Sequence, residues 1–208
     1  MHSDNGNEGL NVVTENSRHQ LDITRELDNG LDSELVRYYT WFHIHPELSY
    51  HEVGTTARIR KILESKNVEI LDTGLNTGLI AVIRGEESGP VIALRGDIDG
   101  LPIQEQTGLE YASQNAGVMH ACGHDFNLSV ALGAAILLNA HRDIISGTIK
   151  VIFQPAEEGR ATKDQPTGGV QVIETGVLDD VQAFFGTHDG SRASRFDPLA
   201  RGKHHWRC

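Results

Sequence analysis

The chain has only two cysteines in 208 residues, Cys122 and Cys208. That is too few for the disulfide framework of a small secreted scaffold, and such sparing use fits a reducing compartment, the cytosol. Long apolar runs are missing too. The longest, Val130 to Leu138, is nine residues and contains Gly133, whereas a membrane-spanning helix needs about 20; no membrane span is expected. The start, Met1-His2-Ser3-Asp4-Asn5, lacks the basic residues and apolar stretch of a secretory signal. Positive charge is scarce: 18 Lys and Arg stand against 29 Asp and Glu, a formal net charge of −11. No basic face is available to neutralise phosphates, so nucleic acid is not an expected partner. No Gly-rich phosphate loop follows the first strand-like runs, which argues against a nucleotide-binding domain. What is present, 38% hydrophobic and 23% charged residues, suffices for a packed core and excludes disordered and collagen-like chains.

The charge is unevenly placed. Residues 1–34 hold eight acids and two bases, residues 192–208 five bases and one acid, and the stretch between carries −9 of the total. Charge-rich, apolar-poor ends read as solvated tails. Between them, Leu35, Val36, Tyr39 and Phe42 fit one face of a helix capped by Ser33. Glu52–Lys66 reads as a second helix with Val53, Ala57, Ile59, Ile62 and Leu63 as its apolar positions. Short apolar runs then follow at 79–83, 91–94, 148–153 and, more weakly, 181–185, and read as strands. The turn-rich segment 84–90 separates the first two. Asp125–Ala140, apolar on nearly all sides, has the length of a buried helix, and 169–175 gives a shorter one. Strands apolar on both faces, alternating with helices, predict an α/β fold with a largely parallel sheet.

Reactive side chains follow these runs directly. Asp97 and Asp99 come after the second, Glu157 and Glu158 after the third, and His188 after the fourth. The carboxyl edge of an open α/β sheet is where such folds bind ligands. His120-Ala121-Cys122-Gly123-His124-Asp125 precedes the long helix and can join that rim. Thiolate, imidazole and carboxylate are the donors that zinc and similar divalent ions take. Gly123 allows a tight backbone between Cys122 and His124, and the following helix start favours the Cys122 thiolate. Adjacent Glu157 and Glu158 cannot point the same way on an extended backbone. One on a metal and one facing the water it activates is the natural division. Taken singly, Cys122 also reads as a buried apolar thiol, the Glu pair as a solvated acidic step, and Asp97 and Asp99 as Asx turns before Gly100 and Pro102. His43, His45, His51 and His141 read as structural or surface residues, and His204-His205 beside Cys208 as part of a solvated tail.

Five stretches in order carry a resemblance: His45-Pro46-Glu47-Leu48-Ser49; 94–102 around Asp97 and Asp99; 119–125 around Cys122 and His124; Phe153-Gln154-Pro155-Ala156-Glu157-Glu158; and Gly176-Val177-Leu178 with Phe185-Gly186-Thr187-His188. The chain resembles the M20 metallopeptidase family, in the amidohydrolase branch that includes N-acyl amino acid amidohydrolases, hippurate hydrolases and auxin-conjugate hydrolases. The resemblance implies a three-layer α/β/α sandwich and a metal-dependent hydrolase that cleaves the amide bond of N-acyl amino acids or related conjugates. It implies two divalent ions, zinc, manganese or cobalt, with Cys122, His124, Glu158 and His188 as ligands. Glu157 becomes the general base, and Asp97 and Asp99 orienting groups behind the metals. The partner it implies is a small-molecule substrate, with full-length relatives as homodimers.

The sequence departs from the family at two places. Asn127 stands where the family usually has His, three residues after His124. After His188 the family continues into a lid and dimerisation domain and returns with a further His ligand; residues 191–208 match none of this. The expected division is therefore a polar extension over 1–32, the first part of the catalytic domain over 33–190, and a non-family basic tail over 191–208. An incomplete sandwich without its lid is expected, and the competing expectation is an inactive truncated fragment that keeps partial metal binding.

Overall fold

Five strands form one mixed sheet in the computed structural model, which describes residue 25, residues 27–160, residue 162 and residues 165–188. They are β1 (Glu69–Ile70), β2 (Leu79–Arg84), β3 (Glu87–Asp97), β4 (Ser146–Gln154) and β5 (Ala183–Gly186), in the spatial order β1-β2-β4-β3-β5. The helices are α1 (Asp32–Ile44), α2 (Val53–Ser65), α3 (His124–Ala140) and α4 (Gly168–Glu174). The basic tail 191–208, with His204-His205, and most of the polar extension 1–32 lie outside the described residues. Among the described residues, no helix is long and apolar enough to cross a membrane.

Alternation along the strands sorts the core into two layers. Leu79, Ala81 and Ile83 of β2 and Ile149, Val151 and Phe153 of β4 pack with Phe42, Ile59, Leu63, Leu128 and Leu132 from α1, α2 and α3. Ile80 and Ile152 face the other way, and with Ala93 they pack against Val172 of α4. A sheet covered on both sides explains why β2 is buried at five consecutive positions. Each such Leu, Ile or Phe contributes about 1.5–3 kcal/mol on burial. Lys150, on the α4 side, donates to the Val177 carbonyl at 2.6 Å and to Asp180 at 2.5 Å, tying the loop before β5 to the sheet.

Several expectations need correction. The sheet is not largely parallel: β3 pairs parallel with β4 and β5, but β1–β2 and β2–β4 are antiparallel. Two-sided burial tells that a strand is interior, not which way it runs. Ser33 does not cap α1, because the helix begins one residue earlier, after a kinked turn with Gly30 at φ 100, and the capping position falls on Leu31. Val36 and Val53 are exposed, as is Ala57, while Thr55 is buried, so the inward faces of α1 and α2 are rotated from the expected ones. The expected turn is shorter, since residues 87–90 already belong to β3. Helix α3 presents Phe126 and Val130 outward and is not buried all round.

Two connections place the site. Between β3 and its neighbour β4 the chain passes through α3 on one face; from β4 it crosses through α4 on the other face to reach β5. Adjacent parallel strands whose chains leave over opposite faces open a crevice at their carboxyl ends. The loop leaving β4 closes at Gly168, whose N–H bonds the Ala156 carbonyl at 3.1 Å. A Cβ at Gly168 would overlap the Pro155 carbonyl oxygen, which is backbone and cannot swing aside. Gly168→Ala is therefore expected to lower the unfolding free energy by about 1–3 kcal/mol, read by urea denaturation.

Candidate metal and catalytic site

The parallel register puts Asp97 opposite Gln154 and Arg95 opposite Gly186, so β3, β4 and β5 deliver their following residues to one edge. The His120–Asp125 segment reaches that edge as the start of α3. Gly123 occupies the capping position at φ 75, a left-handed conformation that suits glycine and turns the chain sharply between Cys122 and His124. One donor atom each from Cys122, His124 and Glu158 lies within 4.8 Å of the others. His188, two residues beyond β5, is exposed and is not in this trio.

His124 and Glu158 are both held through Asp99. The His124 ring Nδ1 faces the Asp99 carbonyl at 2.9 Å and its carboxylate at 3.1 Å, leaving Nε2 directed into the cluster. Asp99 also accepts from the Ser49 hydroxyl at 2.6 Å and the Glu158 N–H at 3.1 Å. Burial pushes the Asp99 carboxyl up, but the His124 and Ser49 hydrogen bonds, with the nearby imidazole, outweigh it and hold the group below the usual range. Asp97 accepts from Asn127 at 2.8 Å and pairs with Arg95 at 2.6 Å. Asp99 is thus bound into the fold behind His124, whereas Asp97 lies on the Nε2 side of the ring, its carboxylate 3.6 Å away. Asn127, where the resemblance leads one to expect His, points at Asp97 and is fully buried.

Glu157 and Glu158 diverge as neighbours along the chain do, and Ala156, between β4 and the pair, turns both away from the strand at φ 44. Glu158 joins Cys122, whereas the Glu157 carboxylate lies 3.9 Å from His124 Nε2 and 4.0 Å from Arg95, with its side chain 39% exposed. Burial is the main cause of the raised pKa of Glu157; His124 and Arg95 oppose it. The expected thiolate at Cys122 is not what this environment favours. The hydrogen bond to Glu158, then burial, then the Glu158, Glu157 and Asp97 charges raise the thiol to about 11. His124 is raised in turn: burial lowers it, but Asp99, Asp97 and Glu157 together prevail. Four acids around one imidazole and one guanidinium leave the pocket short of positive charge. Sulfur, nitrogen and carboxylate donors at this spacing suit a divalent cation, which inverts the sign of the shift at the thiol. His120 is buried with neither ring nitrogen partnered among the described residues, and burial depresses it to about 4, so it is neutral.

Sequence reasoning assigned no role to four groups here: Ser49, Glu52, Arg95 and Asn127. Ser49 sits in the His45–Ser49 stretch, whose Glu47 carboxylate accepts from the Gly54 and Thr55 amides at 3.0 and 2.7 Å and so caps α2. His43 is structural, as expected, buried between Asp125 at 2.6 Å and Glu105 at 3.3 Å.

Comparison with known proteins gives consistent matches. The family model described as peptidase family M20/M25/M40 matches residues 93–196. An N-acetylcysteine deacetylase of Bacillus subtilis (strain 168) is 51% identical over 163 residues, covering 78% of this chain and 41% of that protein. An N-acyl-L-amino acid amidohydrolase of Geobacillus stearothermophilus is 37% identical over 179 residues, covering 86% of this chain and 45% of that protein. A crystal structure of a dinuclear metal-binding peptidase of the M20 family from Bacillus subtilis superposes with a TM-score of 0.73 at 51% identity, over 78% of this chain and 44% of the other. The chain thus spans less than half the length of these relatives.

Proposed function

The chain belongs to peptidase family M20/M25/M40, and from that premise we propose that it carries the metal-site part of an amidohydrolase acting on N-acyl amino acids. The observation that carries this reading is the trio of Cys122, His124 and Glu158 donors within 4.8 Å, with Glu157 beside them. The relatives named as a deacetylase of N-acetylcysteine and an amidohydrolase of N-acyl-L-amino acids supply the substrate class. The dinuclear relative supplies the number of ions.

In this reading Cys122, His124, Glu158 and His188 hold two divalent cations, with zinc, manganese or cobalt all suited to the donors. The ions supply a Lewis acid for the scissile carbonyl and acidify water. Glu157 accepts the proton of the attacking water on its carboxylate and returns it to the departing amine. Its raised pKa makes the carboxylate a better base toward the water, while a carboxyl is still acid enough to pass the proton on to the amine. Asp99 holds His124 so that Nε2 would face the metals, and Asp97, locked by Arg95 and Asn127, lines the same side of the ring at 3.6 Å from Nε2. A cysteine ligand fits a reducing cytosol.

The test is to load the purified chain with zinc, manganese or cobalt and offer it a panel of N-acetyl and N-benzoyl amino acids. Metal uptake with release of the free amino acid is expected. Uptake without turnover on any member would identify a metal-binding piece lacking activity, and no uptake would sink the metal site itself.

A further inference from the structure

We propose that Glu52 is a positioning residue that holds Ala156 in its left-handed conformation and thereby sets the direction in which the Glu157–Glu158 pair leaves β4. This deepens the hydrolase reading and rests on it for the role of Glu157.

Glu52 is fully buried, and its Oε1 accepts the Ala156 N–H at 2.7 Å across 104 residues of sequence. Ala156 carries a side chain at φ 44, a region that L-residues seldom occupy without outside support. Both of its peptide groups are pinned: the N–H by Glu52, and the carbonyl by the Gly168 N–H at 3.1 Å. Two residues on, the Glu158 N–H reaches Asp99 at 3.1 Å. Carboxylates buried at either side thus clamp alternate amides of the segment that bears the base and a ligand.

Helix capping does not account for Glu52. It immediately precedes α2, yet the Gly54 and Thr55 amides are taken by Glu47. Its second oxygen, Oε2, is also buried, with the Thr77 side chain against the carboxylate. A carboxyl group buried this completely, with burial raising its pKa against the Ala156 and Thr77 hydrogen bonds, is a costly choice for stability alone. Its placement makes sense as a means of fixing one backbone amide beside the site.

The experiment compares Glu52→Ala and Glu52→Gln in the full chain, because Gln keeps an acceptor at the same reach. In Glu52→Ala the Ala156 amide is expected to lose its downfield proton shift and to exchange with solvent at least ~10-fold faster, while Gly54 and Thr55, held by Glu47, stay unchanged. With metal loaded, kcat should fall about 10–100-fold at a KM within a few-fold of the parent, and Glu52→Gln should recover most of both readouts. If Glu52→Ala does not fold, Glu52→Asp, one methylene short, is expected to show the same pattern in milder form. An unaltered Ala156 amide, or protection lost equally at Gly54 and Thr55, overturns the proposal. Should the parent chain turn over no substrate, the hydrolase reading fails on its own, and the Ala156 amide still decides the case for Glu52.

Discussion

Glu157→Gln is expected to reduce hydrolysis of N-acetyl amino acids by about 10²–10⁴-fold, the usual worth of a positioned general base, while metal uptake changes by less than ~10-fold. The asymmetry follows from geometry. Glu157 lies outside the Cys122–His124–Glu158 trio, and its half-exposed carboxylate faces His124 and Arg95 from the solvent side. Gln has the same shape and can hydrogen-bond a water but cannot take its proton. Loss of uptake in step with turnover would move Glu157 into the ligand set. Full retention of turnover would require another proton acceptor, and none of comparable exposure stands as near: Asp97 and Asp99 are buried and each already bound to two or more donors.

The sequence made the layers and the reactive edge legible, and physical chemistry shows why. The strands at 79–84 and 146–154 are short Val/Ile/Leu-rich runs covered on both faces, so they stand out from amphipathic helices. Cys, His and Glu at the ends of such runs are rare enough in combination to be noticed, and three of the four expected ligands, Cys122, His124 and Glu158, do converge. Strand direction was not legible, because a buried strand reads alike in either sense. Nor were the helix faces of α1 and α2: Thr55 is buried and Val53 exposed because Glu47 and the loop behind it fix the rotation of α2. The supporting groups are illegible for another reason. Ser49 acts on Asp99 across 50 residues and Glu52 on Ala156 across 104; nothing local distinguishes a Ser or Glu that will meet such a partner. The thiol went the other way for the same reason, since the helix start is visible in sequence and the acids gathered around Cys122 are not.

Asp99→Ala tests how far that hidden support governs the site. Three donors converge on this carboxylate: the Ser49 hydroxyl, the His124 ring Nδ1–H and the Glu158 N–H, at 2.6, 3.1 and 3.1 Å. Two belong to expected metal ligands, so one side chain sets both the ring plane of His124 and the backbone of Glu158. Removing it leaves the Asp99 carbonyl, 2.9 Å from Nδ1, as the remaining anchor for the ring. The Glu158 amide and Ser49 hydroxyl are then left in a cavity with nothing to bond. Divalent metal affinity is expected to drop about 10–100-fold, as for other groups behind metal ligands. Unfolding free energy should fall by roughly 2–5 kcal/mol from the orphaned donors. Asp99→Asn separates the two effects. Its carboxamide oxygen can keep one of the donors while its NH₂ opposes another, so stability should recover more than metal affinity does. Titration calorimetry with zinc alongside urea unfolding reads both numbers on the same preparations. Equal recovery of the two would mean that Asp99 fills space and nothing more, and metal affinity untouched in Asp99→Ala would remove it from behind the metal ligands altogether.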